Sequence, residues 1–221
     1  MIWPEEMPSS FTAFSVMLPC GSRNLSFLMN ISAVLLTGGE SRRTGKDKAT
    51  LLFRGRPLWQ IQCDLLRALQ PEEIFVSART DPPWRPSGVQ FVSDEPPSRG
   101  PLSGLSATLA RISTDHLLAL AIDVPLMTGN YLRLICNLVE PGRGVLPMIG
   151  NRAEPLVAIY PKGTGTDFIM ALSGSDFSLQ SLTKKLVETG KLNVVNVLEE
   201  EGKFFRNFND FGDFEQPVGT S

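Results

Sequence analysis

Leu35 to Lys48, reading LLTGGESRRTGKDK, decides the fold of this chain. Ala33 to Leu36 is a short apolar run of the kind that fills a fully buried parallel strand, and it runs into the paired glycines Gly38-Gly39. Glycines there let backbone N–H groups approach a ligand with no side chain in the way. Arg42, Arg43, Lys46 and Lys48 bring cationic donors into the same loop. A triphosphate spreads its charge over many oxygens and is held best by loop amides together with guanidinium and ammonium groups, so the order strand, glycines, cations reads as a phosphate-binding turn. Taken alone, the stretch is equally compatible with a solvated charged turn. Neither GxxxxGK[ST] nor GxGxxG occurs in it, which argues against a P-loop NTPase and a dinucleotide-binding Rossmann domain.

Outward from this loop, strand and helix patterns alternate. Pro57 fits a first helical position, and Leu58, Ile61, Leu65, Leu66 and Leu69 recur at helical spacing, predicting an amphipathic helix that ends near Gln70-Pro71. Ile74 to Ala78 reads as a strand, the proline-rich Asp81 to Gly88 as a loop, Val89 to Val92 as a strand and Leu102 to Ile112 as a helix. Leu117 to Ile122 follows as a wholly apolar strand and Tyr131 to Val139 as a helix, which completes the βαβ rhythm of a parallel α/β sheet. Val145 to Ile149 and Leu156 to Tyr160 read as strands separated by the turn Gly150-Asn151-Arg152, too short for a parallel crossover, so a mixed sheet is expected. Thr166 to Leu172 and Leu179 to Thr189 read as helices and Leu192 to Val197 as a strand.

The 221 residues suffice for one sizeable core, and no linker divides them. A net charge of −2 argues against a general nucleic-acid surface. Cys20, Cys63 and Cys136 are too far apart for a metal motif or a disulfide framework, in keeping with a reducing cytosol, and the two in helical patterns read as small buried apolar groups. No apolar run reaches the ~18 residues of a membrane span. Glu5 and Glu6 stand where a secretion signal carries positive charge. Residues 1–30 are therefore expected to be a poorly ordered extension or the result of an upstream start codon, with one domain over 31–221.

Three further elements carry chemistry. Asp123 follows the apolar strand and precedes Val124-Pro125, so its carboxylate belongs at the C-terminal strand edge where open α/β sheets bind ligands, on the same edge as the opening loop. A single carboxylate suits Mg²⁺, which completes its shell with water and phosphate. The competing reading makes Asp123 a cap for the helix near Thr128 to Val139. Asp94 also lies just past a strand, and Ser98 to Gly104 forms a tight Gly/Pro loop leading into a helix N-terminus, an intrinsic anion site or simply turn chemistry. His116, ahead of a buried strand, reads as structural; Trp59 and Trp84 as packing; Phe204-Phe205 as a buried strand end; Glu199 to Glu201 as a solvated turn.

LLTGGESRRTGKDK, SDEPPSRGPLSG (93–104), AIDVPL (121–126) and NFNDFGDFE (207–215) together resemble the nucleotidyltransferases that make molybdenum-cofactor dinucleotides, most closely the guanylyltransferases, over about residues 31 to 216. That family's opening motif, LAGGxSxRMGxDK, is matched at Leu36, Gly38, Gly39, Ser41, Arg43, Gly45, Asp47 and Lys48, with departures at Thr37 and Thr44. The double glycine favours guanylyl over cytidylyl enzymes, and EPLVAIY (154–160) also resembles the family. The resemblance implies a three-layer αβα, Rossmann-like nucleotidyltransferase fold around a mostly parallel mixed sheet. It implies that the Leu36-Thr37-Gly38-Gly39 turn holds the guanine nucleotide, that Arg43 and Lys48 bind phosphates, that Ser77 lies near the base, that Asp94 helps fix the nucleotide and that Asp123 carries Mg²⁺. Arg99, Gly100, Asn207 and Asn209 are the implied pterin-side residues, although Asp210-Phe211-Gly212 replaces the family's Thr-Pro-Glu, and Ser77 stands where some members have asparagine. The implied reaction is GMP transfer from MgGTP to molybdopterin by a cytoplasmic enzyme with no nucleic-acid or membrane partner, in transient contact with other cofactor-biosynthesis proteins or recipient molybdoenzymes. A cytidylyl- or sugar-nucleotidyltransferase of the same fold and a non-catalytic nucleotide-binding protein are the alternatives.

Overall fold

In chain order the strands are β1 (Ile31–Leu36), β2 (Leu52–Phe53), β3 (Arg56–Pro57), β4 (Glu73–Ala78), β5 (Gln90–Ser93), β6 (His116–Ala121), β7 (Gly144–Ile149), β8 (Arg152–Ala153), β9 (Ile159–Pro161) and β10 (Leu192–Asn196). The helices are α1 (Leu58–Arg67), α2 (Pro101–Leu109), α3 (Gly129–Asn137), α4 (Gly165–Ser173) and α5 (Leu179–Glu188). They are drawn from a computed structural model that describes residues 30–37, 47–94 and 98–207.

All six residues of β1 are buried, and so are all six of β6. Strands so uniformly apolar must be covered on both faces, which places them in the middle of the sheet. Among the described residues the sheet runs β10-β7-β9-β6-β1-β4-β5, with β8 pairing β7. The β6-β1-β4-β5 block and the β10-β7 pair are parallel; β9 is antiparallel to both β6 and β7, and β8 is antiparallel to β7. The expected mostly parallel mixed sheet is thus observed.

The period-two alternation of β1 sorts the core into two layers. Ala33 and Leu35 pack in one apolar cluster with Leu58, Leu66, Leu132 and Ile135 of α1 and α3. Val34 and Leu36 pack in the other with Leu105, Phe168, Leu182 and Leu186 of α2, α4 and α5. Helices therefore cover both faces, giving the three-layer αβα arrangement. No described helix is long and apolar enough to cross a membrane.

Three sequence expectations are corrected. Pro57 is the N-cap of α1, with extended backbone (ψ 143°), because it also closes the short β2–β3 hairpin. Leu156 does not begin a strand: Glu154-Pro155-Leu156-Val157 is a turn, closed by the Val157 amide donating to the Glu154 carbonyl at 3.1 Å, and β9 starts only at Ile159. Phe204 and Phe205 lie in a 3₁₀ helix, Glu199–Phe205, that includes the acidic run, and Phe205 packs edge-on against Tyr131 of α3.

Candidate active site

The order of strands fixes where a ligand can enter. The chain leaves β1, builds β4 and β5 outward on one side, then returns to lay β6 on the other side of β1. The C-terminal ends of β1 and β6 therefore border a topological switch point, the crevice where open α/β sheets bind ligands. Leu36 is in register with Ala121 of β6 and Ser77 of β4, so the three strands end level. The Ile122 amide donates to the Leu36 carbonyl at 3.1 Å and the Thr37 amide to the Ser77 carbonyl at 3.0 Å, which extends the ladder to the rim.

Across that crevice Lys48 Nζ donates to Asp123 Oδ2 at 2.7 Å, with the two side chains only 16% and 19% exposed. Each partner is held from behind. Lys48 opens the 3₁₀ turn Lys48–Thr50, which Asp47 caps by accepting from the Ala49 amide at 3.0 Å. Asp123 is followed by Val124, whose carbonyl accepts from Gln62 Nε2 of α1 at 2.9 Å, and Gln62 is wholly buried. The capping alternative for Asp123 is excluded, because Thr128 caps α3 by accepting from the Tyr131 amide.

A hard divalent cation fits this donor set. Mg²⁺ needs only one or two protein carboxylates when phosphate and water fill the remaining positions. Asp123 is partly accessible at the strand edge, and its pairing with Lys48 engages Oδ2 alone. Among the described residues no cluster of three or more His, Cys, Asp or Glu is placed to hold a metal.

Beside the pair lies a second polar node. Ser77 Oγ donates to Asp94 Oδ1 at 2.6 Å, and the Asp94 amide donates to the Ala78 carbonyl at 3.0 Å. Thr37 adds a hydroxyl donor to the Ser77 carbonyl at 2.9 Å, a bond an alanine at this position could not make. Asp94 is buried, and burial raises its pKa above the ordinary carboxylate range against the opposing effects of the Ser77 hydrogen bond and the Arg79 charge. A raised acid pKa means that the folded state binds the proton more tightly than the unfolded state. Stability is then lost as pH rises from the unfolded pKa through the folded one. Asp94→Asn keeps an acceptor for Ser77 and removes the buried charge; it is expected to raise Tm at neutral pH by about 2–4 °C and to flatten that pH dependence. Thermal melts from pH 4 to pH 8 check it.

Gly100 caps α2 at φ +65°, ψ −142°, a conformation that L side chains rarely adopt, which explains the glycine ahead of Pro101. The Arg99 amide is held by Ser103 Oγ at 2.9 Å, and its guanidinium lies 4.1 Å from the centroid of the Phe177 ring. A guanidinium stacked this way retains N–H groups at its edge for an anion. Asn207 is exposed two residues beyond Phe205. Leu36, Thr37, Lys48, Ser77, Asp94 and Asp123 thus share one sheet edge. Gly38, Gly39, Arg43 and Asn209 lie outside the described residues.

His116 lies at the N-terminal end of β6, on the opposite edge. It helps line an open cavity of about 520 Å³ with Asp115, Lys162 and Lys191, which the strand direction separates from the Lys48–Asp123 crevice. Two residues at the crevice escape a sequence reading. Gln62 occupies a helical position with no local signal for its contact, and Gly104 stands inside a recognised motif with nothing to show what it touches.

Comparison with known proteins places the chain among nucleotidyltransferases. A protein from Syntrophotalea carbinolica described as molybdenum cofactor guanylyltransferase is 31% identical over 84% of this chain and 89% of its own length. A probable molybdenum cofactor guanylyltransferase of Opitutus terrae is 32% identical over 81% of this chain and 90% of its own. The solved structure of molybdopterin-guanine dinucleotide biosynthesis protein A from Archaeoglobus fulgidus superposes with a TM-score of 0.61 at 22% identity, covering 84% of this chain and 95% of that one. The profile of the MobA-like NTP transferase domain matches residues 33–189, a span that takes in the last four residues of β1 together with Lys48, Asp94 and Asp123, and the chain belongs to that family.

Proposed function

We infer that this protein transfers GMP from MgGTP to the terminal phosphate of molybdopterin and releases pyrophosphate, making the molybdopterin guanine dinucleotide. The observation that carries the reading is the Lys48–Asp123 pair across the switch point of a chain whose relatives bear the guanylyltransferase name. The catalytic unit in this reading is a single domain over residues 31–221.

The acceptor enters as an anionic phosphate, so no general base has to deprotonate it. One of its oxygens attacks the α-phosphorus of GTP in line; the new P–O bond forms as the bond to the bridging oxygen breaks, and pyrophosphate leaves with the electron pair. Catalysis then consists of alignment and charge neutralisation. Lys48 places an ammonium group against the phosphates, and Arg43 is assigned the same task. Asp123 would hold Mg²⁺, which would supply further neutralisation of the nucleotide phosphates. Leu36, Thr37, Gly38, Gly39, Ser77 and Asp94 are assigned to nucleotide binding, and Arg99, Gly100, Asn207 and Asn209 to binding the pterin.

The cytosol is the compartment this reading implies. Cys63 and Cys136 are buried thiols that burial pushes up to about 11 and about 12 respectively, so they remain protonated and unreactive at neutral pH. The product passes to recipient molybdoenzymes through transient contacts.

Base identity is tested by pyrophosphate release with GTP, CTP, ATP and UTP, each with and without molybdopterin. GTP is expected to support release only when molybdopterin and Mg²⁺ are present. Preference for CTP assigns the chain to cytidylyl transfer, and GTP binding without Mg²⁺-dependent release removes the catalytic reading.

A further inference from the structure

Trp84 is the residue whose contacts exceed what packing requires. Its ring stacks on Trp59 at a centroid distance of 5.7 Å and an interplanar angle of 15°, which accounts for the aromatic face. Its indole Nε1–H, however, is spent on Asp47, donating to Oδ2 at 2.6 Å. Asp47 uses its other oxygen, Oδ1, to cap the turn that begins at Lys48. The carboxylate is therefore fixed at both oxygens, one by the turn that carries the catalytic lysine and one by a side chain 37 residues further along the chain.

The donor is itself held rigidly. Trp84 sits in the loop after β4, where Arg85 forks onto both oxygens of Asp81 at 2.7 Å each and also reaches the Val89 carbonyl. Pro82, Pro83 and Pro86 restrict the same loop. Trp59, in the first turn of α1, supplies the stacking surface, and the adjacent Leu58 amide ties α1 to the Leu51 carbonyl just past the lysine turn at 2.9 Å. Three segments converge at Asp47, where the turn that carries Lys48 begins.

We propose that Trp84 is a positioning residue for nucleotide binding: through Asp47 it orients the turn that aims Lys48 at the phosphates of a nucleoside triphosphate. The inference rests on the role given to Lys48 above. An ammonium group on a four-carbon stem is mobile, and fixing its backbone before the ligand arrives lowers the ordering cost of binding. The ligand class is the triphosphate, not the base, because the clamp acts on the phosphate-binding lysine.

Trp84→Phe keeps an aromatic face for Trp59 and removes only the N–H donor. Asp47→Asn keeps Oδ1 to cap the Lys48 turn and replaces the Oδ2 acceptor by an amide. In the full-length protein, each variant is expected to raise both the Kd for GTP by calorimetry and the KM for GTP by about five- to tenfold, the loss of one charge-assisted hydrogen bond discounted for its exposed setting. kcat is expected to change less than about twofold, because binding rather than the chemical step is affected. The double variant should be no weaker than Asp47→Asn alone, since both changes remove the same bond. A purely structural tryptophan would instead lower Tm and leave the KM of the folded fraction unchanged. Wild-type GTP affinity in folded Trp84→Phe overturns the proposal, as does additivity in the double variant; if the phenylalanine variant does not fold, wild-type affinity in Asp47→Asn overturns it. Wild-type protein that releases no pyrophosphate from GTP would instead bring down the proposed function, and calorimetry still reads the clamp in that event.

Discussion

Lys48→Ala is expected to lower kcat/KM for GTP-dependent transfer by about 10³-fold, the upper end of what removing one preorganised charge donor costs. Asp123→Ala is expected to fall in the same range. Each change also disturbs the partner left behind: without Asp123 the ammonium group loses its 2.7 Å acceptor, and without Lys48 the carboxylate loses the donor that holds Oδ2. The two effects should therefore be strongly non-additive, with the double variant less than about tenfold worse than either single variant. Stability should move little. A partly accessible ion pair contributes about 1 kcal/mol, which corresponds to a Tm change of about 2–4 °C in a domain of this size. Steady-state pyrophosphate release alongside thermal melts separates the two quantities, and near-normal turnover in either variant removes that residue from the reaction.

The order of elements was legible because it rests on local chemistry. The apolar runs that became β1 and β6 cannot be exposed, and the helical spacing of Leu58, Leu65, Leu66 and Leu69 has one economical solution. With both strands assigned, the C-terminal position of Asp123 and of the opening loop followed from topology alone, and the Lys48–Asp123 contact supplied the distance. Long-range detail was not legible. Leu156 to Ala158 are apolar and buried or partly buried, so they read as strand, but Leu156 and Val157 belong to the Glu154–Val157 turn and only the Ala158 carbonyl joins the β6 ladder, accepting from the Ala119 amide at 2.8 Å; burial in a turn has no signature in sequence. Phe204 and Phe205 are buried or partly buried because α3 lies beneath them, a contact made across more than 60 residues of chain, and apolarity could not tell a 3₁₀ helix from a strand end. Trp84 read as packing because stacking is what tryptophan usually supplies. Only the placement of its N–H reveals the link to Asp47.

Gly104→Ala is expected to cost both stability and nucleotide affinity, against the helix propensity of the substitution. Alanine inside α2 should gain about 1 kcal/mol over glycine on propensity alone. The space does not permit it: a Cβ at position 104 would stand 2.3 Å from Ser77 Oγ, 2.9 Å from Asp94 Oδ1 and 3.2 Å from Leu36 Cδ2. The Ser77 hydroxyl can escape only by rotating away from Asp94, which breaks their 2.6 Å hydrogen bond and strands a buried carboxyl group. Overpacking of this kind costs about 1–3 kcal/mol, to which the lost bond adds, so the net expectation is a Tm lower by about 5 °C. GTP binding should weaken by about tenfold or more as the Ser77–Asp94 node is displaced from the rim of the crevice. Ser77→Ala in the same chain removes the nearest clashing atom. It is expected to restore part of the lost Tm without restoring affinity, because the hydrogen bond to Asp94 stays broken. A wild-type Tm in Gly104→Ala alone would show that α2 can move away from β4 at little cost, and would remove close packing as the reason a glycine stands at that position.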